Sequence, residues 1–103
     1  MKYIVVFVTA SSLSEAKKIS DNLLSRKLVA CVNIVPKVRS NFIWKGNIDK
    51  ANEVLLIAKT KFSKFNELKK QVKKNHSYEV PEIIALPIIA GNKEYLKWID
   101  ESV

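Results

Sequence analysis

The sequence predicts an α+β domain whose elements run β-α-β-β-α-β, followed by one more helix. Three observations predict it. Four apolar runs rich in β-branched residues, at 2–9, 28–44, 47–60 and 82–90, have the length and composition of strands. Stripes of apolar residues at helical spacing lie between the first and second runs and between the third and fourth. Pro36 and Pro87 fall in the second and fourth runs, and neither the first nor the third contains proline. Proline removes a ladder donor and is tolerated at a sheet edge, so the first and third strands belong in the middle.

Each element has a local cause. Ser12-Leu13-Ser14-Glu15 reads as a capping box, with the Ser12 hydroxyl on the amide of residue 15 and Glu15 reaching back to the amide of residue 12. The helix it starts puts Leu13, Ala16, Ile19 and Leu23 on one face and Lys17, Lys18, Asp21 and Asn22 largely on the other. Arg26 and Lys27 suit its C-terminal end. Gly46-Asn47 suits a tight turn between the second and third strands, since both residue types accept positive φ. The arms on either side are long, which predicts a β-ribbon reaching past the core. Ser63 is positioned to cap a second helix with Phe65, Leu68 and Val72 as its stripe, ending near Asn75. Pro81 stops any continuation. Gly91-Asn92 opens the last helix, with Tyr95, Trp98 and Ile99 on its inner face.

This order is a split βαβ pair, the ferredoxin-like arrangement. Right-handed crossovers put the second and fourth strands at the edges. Long apolar edges invite pairing with other chains, and pairing between copies in a closed oligomer removes the hazard.

The 103 residues suit one domain, 1–103. With 48% hydrophobic and 27% charged residues, the composition is that of a globular chain, not a disordered one. Met1–Val8 reads as a buried strand and not a secretory leader, and no run approaches a membrane span. The lone Cys31 cannot form an intrachain disulfide, which suits a reducing compartment. The expectation is therefore a cytoplasmic protein that does not enter membranes. Cys31 itself, in Val29-Ala30-Cys31-Val32, reads as a small buried hydrophobe, with a metal thiolate as the alternative. The net charge of +8 is concentrated in Lys59, Lys61, Lys64, Lys69, Lys70, Lys73 and Lys74. Only Arg26 and Arg39 offer the guanidinium fork, so the excess reads as a solvated lysine face in preference to a nucleic-acid surface.

Fold does not give function, so the side chains must decide. A phosphate hydrolase of this fold needs a Gly-rich cradle with arginine, yet only Gly46 and Gly91 occur. An RNA-recognition module needs aromatics on its central strands, and Glu53–Thr60 has none. A copper chaperone needs two close cysteines. No nucleophile–base pair is legible, so the expectation is a binding protein and not an enzyme. The one histidine, His76, sits in a polar stretch with Tyr78, Glu79 and Glu82. Imidazole and carboxylate together suit a borderline divalent metal.

Longer stretches carry a family resemblance. Leu28–Pro36, Ser40-Asn41-Phe42-Ile43-Trp44-Lys45-Gly46-Asn47-Ile48, Glu53–Thr60, His76-Ser77-Tyr78-Glu79-Val80-Pro81-Glu82 and Tyr95–Ile99 resemble, in order, the motifs of the CutA divalent-cation-tolerance family. The resemblance implies a homotrimer similar to the PII signalling trimers, with divalent metal, copper first, as ligand. It implies a groove near each subunit boundary, with His76, Cys31 and Glu79 as metal ligands and Trp44, Lys59, Tyr78 and Glu82 around the cleft. The chain departs from the family pattern at four places. Val8 stands where some members have Cys, and Asn75 where some have a second His; Phe42 replaces Tyr, and Ser77 replaces Pro. Met1, Cys31 and His76 are the soft donors left. The alternative is a PII-like sensor that takes a small anion or nucleotide between subunits, with Lys59 as the anion contact, and signals to a protein partner.

Overall fold

The computed structural model describes residues 2–103. Four strands, β1 (Tyr3–Ala10), β2 (Cys31–Trp44), β3 (Asn47–Lys61) and β4 (Ile83–Pro87), form one antiparallel sheet of order β2-β3-β1-β4. The central strands are those without proline, and Pro36 and Pro87 lie on the edges. Three helices, α1 (Leu13–Ser25), α2 (Phe65–Asn75) and α3 (Lys93–Ser102), complete the chain.

Strand alternation divides the sheet into two faces. Ile4, Val6, Val8 and Ala10 of β1 and Val54, Leu56 and Ala58 of β3 meet Ala16, Ile19 and Leu23 of α1 and Leu68 and Val72 of α2 in the core. Phe65 packs against that core from the start of α2. Leu13, at the first turn of α1, stays largely exposed. Thr60 is buried without cost because its hydroxyl donates to the Leu28 carbonyl at 2.7 Å. On the opposite face α3 anchors by the fully buried Ile99 and by Asp100, which pairs with Lys2 and Lys61 at 3.1 Å each. Tyr95 and Trp98 stay partly exposed beside it.

The β2–β3 ribbon extends past the core and gives the chain extents of 44 × 26 × 23 Å. One extra residue in β2 between Val35 and Val38, at Pro36-Lys37, forms a bulge that accommodates the missing proline donor.

Several local expectations shift. The hairpin turn is Lys45-Gly46, at φ 51° and 80°, because Trp44 pairs with Asn47 and leaves only two residues to turn. Ser12 caps α1 as expected, accepting from the Glu15 amide at 3.1 Å. Glu15, however, bonds the amide of Ser11 at 3.1 Å in place of that of Ser12. Ser63 does not cap α2: it lies inside a 3₁₀ turn, Phe62–Lys64, and Lys64 takes the cap position. Strand β4 ends at Pro87, short of residue 90, because the β1 partners run out at Tyr3, whose carbonyl takes the Ile88 amide at 2.9 Å.

Candidate functional site

An open cleft of about 920 Å³ runs along the β2–β3 ribbon, with Arg39, Phe42, Trp44 and Lys50 in its lining, and faces the segment before β4. Its floor is Glu53, which register places opposite Val38 on the face turned away from α1 and α2. Alternation puts Phe42, Trp44 and Asp49 on the same face, and Tyr78, Glu79 and Glu82 close the other side. Four residues expected in the site, Trp44, Tyr78, Glu79 and Glu82, thus meet in one cleft.

Glu53 is only 8% exposed, and its Oε2 accepts from the Tyr78 hydroxyl at 2.8 Å. Burial, then the hydrogen bond and charge of Glu53, push the Tyr78 phenol up to about 12, so it stays a donor. Glu82 makes no hydrogen bond or ion pair among the described residues. Burial raises its carboxyl, and the charge of Glu53 raises it further. Two carboxylates therefore share a partly desolvated cleft, and one of them is bonded to the Tyr78 phenol.

His76 lies behind this cleft. Its side chain is fully buried, not in the polar surface setting the sequence suggests. Nε2 is 2.6 Å from the Thr9 carbonyl, and Nδ1 accepts the Tyr78 amide at 3.0 Å. That pattern puts the proton on Nε2. The Glu15 carboxylate stands 3.3 Å from Nδ1 and takes the Ser77 amide at 2.6 Å and the Ser77 hydroxyl at 3.0 Å. It also accepts from the Ser11 hydroxyl. Burial alone would raise the Glu15 carboxyl, but these donors from Ser11 and Ser77 outweigh it and hold it at about 2. The network ties the 76–78 segment to β1 and to the N-terminus of α1, and so sets where Tyr78 stands.

The expected metal set is not assembled within one chain. Cys31 pairs in register with Lys59, while Thr9, which holds His76, pairs with Leu55. Four residues along β3 separate the two places, about 13 Å. Both ring nitrogens of His76 are in use, and the Lys59 ammonium lies 3.8 Å from the Cys31 sulfur, where it disfavours a second cation. Lys59 also donates to the Asn33 carboxamide, so it stands apart from the cleft and already has partners. Met1 lies outside the described residues. Among the described residues, no group of three or more His, Cys, Asp or Glu side chains is gathered to hold a metal ion. Sequence reasoning missed Glu53, Glu15 and Thr9. The one available signal was Glu53 itself, a lone carboxylate heading the apolar run Val54-Leu55-Leu56-Ile57.

Residues 4–102 match the family model described as CutA1 divalent ion tolerance protein. The chain belongs to the CutA1 divalent ion tolerance family. The divalent-cation tolerance protein CutA of Archaeoglobus fulgidus is 50% identical over 98 residues, 95% of this chain and 95% of its own length. Its counterpart in Thermus thermophilus is 46% identical over 98 residues, again 95% of each. The chloroplastic Protein CutA 1 of Oryza sativa is 46% identical over 99 residues, and there the chain spans only 56% of the relative's length. The solved structure of the Thermus thermophilus divalent cation tolerance protein superposes at a TM-score of 0.95, with 45% identity and 97% of each chain covered. That of the periplasmic divalent cation tolerance protein CutA from Archaeoglobus fulgidus superposes at 0.93, with 47% identity and 97% of each covered. Both solved structures thus share nearly the whole length of the fold described here.

Proposed function

We propose that this chain serves divalent-cation tolerance as a cytoplasmic homotrimer that binds divalent metal ions in the ribbon cleft, and that it binds rather than catalyses. The observation that carries the metal reading is the carboxylate pair Glu53 and Glu82. Glu53 is buried, and its charge raises the Glu82 carboxyl beyond what burial does. A divalent cation between them replaces repulsion with attraction. Glu79 lines the same cleft wall. Oxygen donors accept many divalent ions, and Cu²⁺ is the tightest first-row binder to a given N/O/S site. Copper therefore stays the first ion to try, with Glu53 and Glu82 as ligands in place of His76 and Cys31. The remaining donors come from a neighbouring subunit.

The oligomer is supported by apolar surface with no cover in one chain. Ile43 and Ile48 at the ribbon tip are 76% and 82% exposed, and Ile89 beyond β4 is 94% exposed. These sit on or next to the two unpaired sheet edges, β2 and β4. Neighbouring copies that pair with the edges and cover these side chains remove both costs. The PII-like alternative with Lys59 as anion contact gains nothing at that residue, whose ammonium is engaged by Asn33 and Cys31.

Calorimetric titration with Cu²⁺ and Mn²⁺ tests the reading. Saturable uptake that weakens at least tenfold in Glu82→Gln and is unchanged in Cys31→Ser supports it. Uptake that ignores Glu82 and disappears with Cys31 overturns the carboxylate site.

A further inference from the structure

We propose that the helix-side face of the β2–β3 ribbon binds a small tetrahedral oxyanion, a phosphate or phosphate ester, between Arg39 and Lys50. The patch borders the cleft, whose lining also includes Arg39, Asn41 and Lys50, but it does not rest on the metal reading. Register pairs Arg39 with Asn52 and Asn41 with Lys50. Opposed residues in an antiparallel ladder share a face, as do alternate residues of one strand. All four side chains therefore project from one patch, with Asp49 and Glu53 on the reverse. The ribbon is acidic on one face and basic on the other.

The patch is made almost entirely of donors. Arg39 and Lys50 accept no hydrogen bond, and each carboxamide of Asn41 and Asn52 offers an NH₂. Arg39 and Lys50 are diagonal neighbours, about 7–8 Å apart at their bases. Among the described residues neither joins an ion pair. The nearest acid in sequence, Asp49, accepts the Lys50 backbone amide at 2.8 Å and leaves the ammonium free. Two like charges at diagonal positions repel, and an anion held between them replaces that repulsion with attraction. A hollow of about 320 Å³ lined by Arg39, Lys50, Ala51 and Asn52 gives a phosphate-sized group room between them. The guanidinium fork takes two of its oxygens, the ammonium takes a third as a point charge, and an amide completes the shell.

The test is a titration of the whole protein with inorganic phosphate, and separately with adenosine monophosphate, followed by amide chemical shifts at constant ionic strength against chloride. The expected result is saturable shifts at residues 39–41 and 50–52 that weaken about tenfold or more in Arg39→Gln/Lys50→Gln. Tighter saturation by the monophosphate identifies an ester as the better ligand; equal saturation identifies the free anion. Both variant positions are exposed, and an unchanged spectrum elsewhere shows that the fold is kept. Shifts that do not saturate, that chloride reproduces, or that persist in the double variant overturn the proposal. So does wild-type protein that ignores phosphate while the double variant falls apart into monomers, since the patch is then an ion-pair surface between subunits.

Discussion

Replacing Glu15 with glutamine removes the charge that holds the 76–78 segment against β1 and α1. The size of the effect follows from the carboxyl's position at about 2 instead of 4.5. At about 1.4 kcal/mol per unit, the ionised carboxylate stabilises the folded state by on the order of 3 kcal/mol at pH 7. The folded value is depressed, so this stability is fully present above pH 4.5 and is lost as the pH falls toward 2. At pH 3 less than half remains, because the unfolded chain has already taken up the proton and the folded one has not. Urea unfolding of wild type and Glu15→Gln, at one protein concentration and at pH 7 and pH 3, reads the difference directly. The midpoints should lie well apart at pH 7 and draw together at pH 3. Coincident midpoints at pH 7, or a separation that does not shrink in acid, would refute the clamp and with it the account of how Tyr78 is positioned.

Tyr78→Phe leaves the buried Glu53 carboxylate without its phenol and should cost about 1.5–3 kcal/mol in the same unfolding assay. Thr60→Val orphans the Leu28 carbonyl at a fully buried site and should cost about 1–3 kcal/mol. Lys45→Gly relieves a left-handed residue at φ 51° and should stabilise by about 0.5–1 kcal/mol, read as a higher melting temperature. His76→Ala should lower the melting temperature while the variant, where folded, keeps its metal uptake, since both imidazole nitrogens serve the fold.

The strand order was legible because proline marks edges and because the apolar runs alternate with two amphipathic stripes. The Ser12 cap was legible because its bond closes within one helical turn. What was misplaced depended on partners distant in sequence. The turn fell on Lys45-Gly46 because cross-strand pairing of Trp44 with Asn47 fixed it, against the preference of asparagine for positive φ. Strand β4 was cut short by the start of β1, which no local pattern announces. Within the site, Tyr78, Glu79 and Glu82 were legible from their clustering beside His76, Trp44 through motif resemblance, and the four do converge. His76 carried the same resemblance but is sequestered by Thr9, 67 residues away. Cys31 and Lys59 met each other instead of the cleft, because β2 and β3 pair at that end of the sheet.

Native mass spectrometry of the purified chain with and without Cu²⁺ tests the proposed trimer with carboxylate-held metal in each ribbon cleft. The expected result is three chains per particle and metal uptake that saturates at one ion per chain, lost in Glu53→Gln/Glu82→Gln while the trimer persists. A monomer, or a trimer whose copper uptake is the same with and without those carboxylates, would contradict it.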